Sequence, residues 1–293
     1  MPEREFDDFR PARESSLWII VVLVVLALAA GAVWWRWTHR QPAAVDAPPA
    51  ASAPAPEAPA PAPAVAIPTE PQNPVDATAD ALPKLDDADA QVRAALAELL
   101  GAKAVGNFLQ TDGFVRRFVA TVDNLPREQA AVRVRPVQRM PGRFEAGGKG
   151  DAQAISLDNG ARYTPFVLFA ESVNPQKAAA LYQKLYPLFQ QAYEELGYPG
   201  RHFNDRLVAV IDHLLQAPEP AAPPKVKLVE IKGEVPSERP WVHYEFVDPQ
   251  LQSLSAGQKM MVRVGLVNER RLKAKLRELR GQIAGGALAK KKS

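Results

Sequence analysis

Three groupings of polar side chains in this sequence are candidates for chemistry, and each implies a different kind. The first is Gly147-Gly148-Lys149-Gly150, a glycine-rich stretch of the sort that cradles phosphate. A Walker-type loop needs a glycine five residues before Gly148, where Arg143 stands, and Ser or Thr after the lysine, where Gly150 stands. With both the turn glycine and the magnesium-binding hydroxyl missing, the stretch reads as a loop. The second grouping lies on the polar side of an apolar-striped segment, Phe203–Gln216. At helical spacing Asp205 and Asp212 share one side, with Arg206 and His213 one step round. That is a solvated face or a polar network joining the helix to a neighbour, and it is where the acid–base groups of a hydrolase would be sought first. The third is a C-terminal array of cations, Arg270, Arg271, Lys273, Lys275, Arg277 and Arg280, interleaved with Leu272, Leu276, Leu279 and Ile283. An amphipathic helix of this pattern packs its apolar stripe on a body. Its cations then face solvent, anionic lipid headgroups, an anionic cell-wall polymer or an acidic protein surface.

Other chemistries find little support. His202, His213 and His243 include no pair at the four-residue helical spacing of zinc hydrolases, and His243 with Glu245 is a lone pair on one strand face. No serine sits in a Gly-x-Ser-x-Gly elbow. Glu194 and Glu195 are adjacent, hence about 100° apart on a helix, and do not form a carboxylate pair. The chain has no cysteine, which rules out thiolate chemistry and disulfide stapling and suits a domain exported to an oxidising compartment. Neither a metal nor a cofactor is expected. Aromatic residues are not interleaved with the C-terminal cations, so no nucleic acid is expected either.

The elements that would position these groups begin with an uninterrupted apolar run, Leu17 to Trp35, which carries no charge and spans about 28 Å at helical rise. Trp18 marks one end, and Trp34, Trp35 and Trp37 mark the other, as interfacial anchors do. Ala30-Gly31-Ala32 resembles a signal-peptidase site. However, the acidic leader and the continuation through Val33-Trp34-Trp35 favour a retained anchor. Arg4, Arg10, Arg13 and the chain amine outnumber Arg36 and Arg40, so residues 1–16 are expected in the cytoplasm and everything after 17–35 on the far side of a bacterial inner membrane, in the periplasm.

Residues 36–83 form a tether. From Gln41 to Pro83 the chain is dominated by Pro and Ala, with few large apolar residues and little charge, and it would reach about 130 Å when extended. The expected folded part starts at Lys84. Lys84 to Gln258 holds 20 basic and 21 acidic residues, whereas Lys259 to Ser293 holds 11 basic residues against Glu269 and Glu278. The basic character of the chain therefore belongs to its C-terminal end.

Within 84–217 the periodicity predicts a helical domain. A helix through Val92, Leu96, Leu99 and Leu100 ends at Gly101, and a short second one runs through Val105–Gln110. A third, capped by Thr111 or Asp112, carries Phe114, Val115, Phe118, Val119 and Val122. Asp158-Asn159-Gly160 reads as a turn before a short apolar run from Pro165. Asn174-Pro175 caps a helix through Leu196 in which Pro187 should make a kink or start a new turn, and the stripe Phe203, Leu207, Val210, Ile211, Leu214 and Leu215 makes its partner. Residues 218–293 add a β-hairpin, Lys225–Lys232 with Trp241–Val247, and basic C-terminal helices interrupted near Gly265 and recapped by Asn268. The expected architecture is mainly α: a helical bundle with one β-hairpin, preceded by one transmembrane helix and a disordered Pro/Ala linker.

Three strings, LYPLFQQAYEELGYPGRHFNDRLVAVIDHLL, PWVHYEFVDPQLQSLSAGQKMMVRVG and RLKAKLRELR, resemble the bacterial family of domain of unknown function 3014. The likeness covers most of Leu85–Ile283. It implies a membrane anchor, a Pro/Ala linker and a mostly helical domain, and it carries no catalytic residues with it. The function expected on these grounds is non-enzymatic. A tethered periplasmic domain binds an envelope partner, either a protein or an anionic cell-wall polymer. The alternative is an envelope hydrolase or modifying enzyme with a site near Asp205, Asp212 and His213.

Overall fold

The computed structural model describes residues 70–77, 82–150, 153–229, 240–285 and 287–288, all within one unit, Ala62–Ser293. The apolar run 17–35 and the tether up to residue 69 lie outside the described residues. Among the described residues, no helix is long and apolar enough to cross a membrane.

The first three helices follow the apolar periodicity. Helix α1 (Asp89–Leu100) opens with Asp89 in its first turn and closes where Gly101 takes φ 85°, its N–H bonding Ala97 O at 2.8 Å. Helix α2 (Ala102–Phe108) follows at once, and α3 (Phe114–Asn124) buries Phe114, Val115, Val119 and Val122. Neither Thr111 nor Asp112 caps α3. Gly113 does so from a left-handed conformation, and its N–H is taken by Asp89 at 2.8 Å. Arg93 has claimed the two expected caps, with its Nε on Thr111 and its Nη2 on Asp112.

Helix α4 (Asp158–Ser172) corrects the turn expected at Asp158-Asn159-Gly160, which is instead its first turn. Asn159 is buried there. Its Nδ2 donates to the carbonyls of Glu145 and Ser156, and its Oδ1 accepts the Glu145 N–H at 3.1 Å, so its polar atoms serve the preceding loop. Helix α5 (Pro175–Glu195) is capped as expected by Asn174, whose Oδ1 accepts from Lys177 N–H at 2.9 Å, and it runs without interruption through Pro187. Helix α6 (Phe203–Leu215) follows a tight turn.

One core joins α1, α2, α3, α5 and α6. Phe203 is its centre: it is fully buried, with ring centroids 5.5 Å from Tyr193, 6.0 Å from Phe189 and 6.2 Å from Phe118. A smaller cluster of Ile155, Val226, Phe246 and Val262 lies under two antiparallel strand pairs. Strands β1 (Ala146–Gly147) and β2 (Ala154–Ile155) form one pair. Strands β3 (Val226–Leu228) and β4 (Tyr244–Phe246) form the other, with Val226 opposite Phe246. The second pair is the expected hairpin, and the first was not foreseen. Trp241 belongs to a 3₁₀ turn, Pro240–Val242, so the β4 strand starts later than its alternation suggested. Residues 230–239 of the hairpin connection lie outside the described residues.

Short helix α7 (Pro249–Gln252) leads into α8 (Ala256–Arg263), which is opened by a capping box between Ser255 and Gln258. The chain breaks at Gly265, φ 88°, before α9 (Leu266–Ile283) packs along α4, α5 and α6. Gly265, not Asn268, stands at the N-cap. Asn268 is buried inside the first turns, with its Nδ2 on Gly160 O at 2.8 Å and on Val264 O at 3.1 Å.

Helix α8 meets the core through Gly257. Its N–H bonds Leu125 O at 2.8 Å, and a Cβ there would lie 2.5 Å from Leu214 Cδ2 and 3.0 Å from that same carbonyl. Gly257→Ala is expected to destabilise the fold by about 1–3 kcal/mol by forcing α8 off α3 and α6. An unchanged midpoint in urea unfolding would mean that the contact yields freely.

The expected tether also proves shorter at its far end. Residues 70–77 lie on the body: Asp205 accepts the N–H groups of Gln72 (3.1 Å) and Asn73 (2.7 Å), and Asn204 Nδ2 donates to Asn73 O at 2.8 Å. Val75 pairs with Leu288, and both lie beside α6 against Val208 and Ile211. The folded part thus includes Gln72 and Asn73, upstream of the expected start at Lys84.

Candidate functional site

The C-terminal cations do not form a free basic face. Arg270 Nε is 2.8 Å from Glu219 Oε2 and Arg271 Nε is 3.0 Å from Glu171 Oε1. Lys275 Nζ reaches Glu278 at 2.7 Å and the carbonyl of Val173 at 3.1 Å. Arg280 forks onto both oxygens of Asp212, with Nη2–Oδ2 at 2.8 Å. Of the six, Arg277 makes no ion pair among the described residues. The exposed pairs are weak and can exchange partners, so Arg270 and Arg271 stay available to an anion. Lys273 does not. Only 2% exposed, it is withdrawn from any partner.

Lys273 Nζ instead sits between Glu269 Oε1 (3.0 Å), Glu219 Oε1 (2.9 Å) and the Ala217 carbonyl. Glu269 is fully buried. Burial pushes its carboxyl above the ordinary carboxylate range, while the Lys273 ammonium acts in the opposite direction. Glu269 also lines a recess of about 110 Å³ roofed by the strap Pro220–Pro224 and walled by Asn159, Arg263 and Leu266. Helical spacing does pair Glu269 with Lys273, but nothing in the sequence says that both are buried.

The polar residues of α6 go four separate ways. Asp205 holds the end of the tether, and Asp212 holds Arg280. Arg206 reaches back to α3, with its Nη2 3.1 Å from Asp123 Oδ1 and 3.0 Å from Asp123 O. His213 Nε2 lies 2.8 Å from Ser255 Oγ. This last contact has the spacing of a nucleophile and its base, but Ser255 is 8% exposed and its Oγ already accepts the Gln258 N–H as the cap of α8. No third group orients the imidazole among the described residues. The four side chains therefore tie α6 to four neighbours and do not converge on one reacting atom. Nor does any group of three or more His, Asp or Glu stand placed to hold a metal, among the described residues.

Free positive charge is found instead in the connection between α3 and β1. Residues 129–144 contain Arg133, Arg135, Arg139 and Arg143 and no acid. None of these arginines forms an ion pair with a carboxylate among the described residues, and the same holds for Arg162 on α4 and Arg263 on α8. Arg135 and Arg263 are each partly buried, and burial lowers the pKa of each. The Tyr163 hydroxyl acts electrostatically on both. Arg162 stacks on the Tyr163 ring, its guanidinium carbon 4.6 Å from the centroid, and donates to the same hydroxyl. The acid-free run was readable in the sequence, but that Arg162 of α4 would lie against it at Gly142 was not.

Residues 114–280 match the family described as protein of unknown function, DUF3014. The chain belongs to that family. The matched region starts at the first residue of α3 and ends at Arg280, so it holds Asp123, the Glu269–Lys273 pair and Arg133, Arg135, Arg139, Arg143, Arg162 and Arg263, and leaves out α1 and α2. No curated protein and no solved structure matches the chain.

Proposed function

We propose that this chain is a non-enzymatic, single-pass inner-membrane protein whose tethered periplasmic domain binds an anionic envelope partner, a cell-wall polymer or an acidic protein surface. The observation that carries the location is the uncharged run Leu17–Trp35 with its flanking tryptophans, followed by a Pro/Ala spacer. The unpaired arginines of residues 133–143, with Arg162 and Arg263, support an anionic partner. A buried guanidinium without a carboxylate is costly to keep and is retained where something else neutralises it. The tether confines that surface to the membrane's neighbourhood and raises its effective concentration there. The separate engagements of Asp205, Asp212 and His213 weigh against a hydrolase at that location.

A reporter fused after Ser293 is expected to be active only if it functions in the exported compartment, and the protein should stay with vesicles after alkaline washing. Activity of a reporter that works only in the cytosol would overturn the topology.

A further inference from the structure

Two adjoining helices leave apolar side chains uncovered. On α4 and the residue before it, Leu157, Ala161, Pro165 and Leu168 are exposed, and their four-, four- and three-residue steps put them in one stripe. On α9 the exposed residues Val267, Arg270, Ala274 and Arg277 make a second stripe at three-, four- and three-residue steps. Leu157 is 82% exposed, Val267 71% and Leu168 49%. Single exposed aliphatics are ordinary on a protein surface, whereas a contiguous set on neighbouring helices marks a face that something covers.

The seam between the helices shows that the two stripes form one face. Asn268 Nδ2 donates to Gly160 O at 2.8 Å, Thr164 Oγ1 donates to Asn268 Oδ1 at 3.4 Å, Arg271 meets Glu171 at 3.0 Å, and Lys275 donates to Val173 O at 3.1 Å. Both sequences ascend along this seam, so α4 and α9 run parallel. At about 100° per residue the α4 stripe lies about 80° round from its seam residues in one sense, and the α9 stripe about 110° round from its own in the opposite sense. In parallel helices those rotations turn both stripes to the same side.

The charges around this face select its occupant. Three ion pairs border it, Arg270–Glu219, Arg271–Glu171 and Lys275–Glu278, and Arg277 stands in the α9 stripe itself. A polyanion or an anionic bilayer would find most of these cations already opposed by carboxylates. A second copy finds both signs. Under a two-fold axis the cations of one rim can meet the carboxylates of the other, and exposed pairs exchange partners at little cost. We propose that the α4–α9 face is a two-fold interface between two copies of this chain, with Leu157, Leu168 and Val267 at its apolar centre. The interface uses none of the unpaired arginines proposed above to meet an anion, so the two readings stand or fall separately. Two copies anchored in one bilayer would also meet at a raised effective concentration.

The test measures the mass of the full-length protein in neutral detergent micelles by analytical ultracentrifugation over a range of concentrations. A reversible dimer with a Kd on the order of 10 µM or tighter is expected. Leu168→Glu with Val267→Glu should weaken it at least tenfold. Both side chains are exposed, so the thermal midpoint should hold, which separates a lost interface from a lost fold. Leu196→Glu replaces an exposed leucine at the C-cap of α5, away from both stripes, and should leave the dimer unchanged. Equal dimerisation by wild type and double variant would assign the association to the apolar run 17–35 or to another surface, and would overturn the interface. A wild type that stays monomeric at about 100 µM would overturn it too. If that monomer then bound phosphatidylglycerol vesicles and the double variant did not, the face would belong to a lipid surface instead.

Discussion

Replacing Lys273 with methionine is expected to cost about 3–5 kcal/mol of folding free energy at neutral pH, although the new side chain is apolar and similar in length. The loss comes from what stays behind. Glu269 is fully buried, its Oε1 lies 3.0 Å from Lys273 Nζ, and the described residues offer it no hydrogen bond that would stand in for the ammonium. Without Lys273, the carboxylate must remain charged in an apolar site or take up a proton to become neutral. Burial already raises the Glu269 pKa in the wild-type protein, so the folded state holds its proton to a higher pH than the unfolded chain does. Stability from this group therefore falls as pH rises through the folded value, and the penalty is fully present above it. Relative to Glu269→Gln, the wild type should gain stability as pH is lowered into that window. Lys273→Met should show the same gain starting from higher pH. Replacing both partners, Glu269→Leu with Lys273→Met, should recover most of the loss. Urea unfolding between pH 5 and pH 8 measures all four proteins. A Lys273→Met variant as stable as wild type at pH 7 would show that the pair is reached by water.

The helices were legible wherever one face is buried against one neighbour. Asn174-Pro175 and the stripe from Phe203 to Leu215 gave α5 and α6 almost to the residue, because capping and a 3.6-residue period are local properties. Asp158-Asn159-Gly160 misled for the opposite reason. Its turn-like residues sit in a helix because Asn159 spends its hydrogen bonds on Glu145 and Ser156, and because Gly160 leaves room for Gly265 to approach. The C-terminal cations misled in a similar way. Helical spacing shows which of them share a face, but not that Glu171, Asp212 and Glu219, each some 50 or more positions earlier, will meet them. Charge that looks free in one dimension is spent in three. The arginines of residues 133–143 are the converse: an irregular connection has no period to draw notice, and their value lies in what is missing around them.

The buried carboxylate of Asp123 provides the second large effect. It is 2% exposed in the last turn of α3, and three groups from three later segments converge on it. Arg127 Nη2 donates to Oδ2 from the following connection, Tyr198 O–H reaches the same oxygen at 3.2 Å from the α5–α6 turn, and Arg206 Nη2 lies 3.1 Å from Oδ1 on α6. Arg206 also donates to the Asp123 carbonyl at 3.0 Å, which keeps its guanidinium in place when the carboxylate is altered. Asp123→Ala removes the carboxylate that pairs with Arg127 and Arg206 and the acceptor of Tyr198 O–H, and is expected to cost about 3–5 kcal/mol, a fall in Tm on the order of 10 °C for a domain of this size. Asp123→Asn keeps an acceptor oxygen and should cost about 1–3 kcal/mol. A double-mutant cycle with Arg206→Met apportions the coupling, since residues in direct contact fail additivity while distant ones do not. Half-exposed Arg127 regains water when its partner goes, so its share should be the smaller one. If Asp123→Ala and Asp123→Asn proved equally mild, α3 and α6 would be held by the Phe118–Phe189–Phe203 packing alone, and the polar network would be an accessory to it.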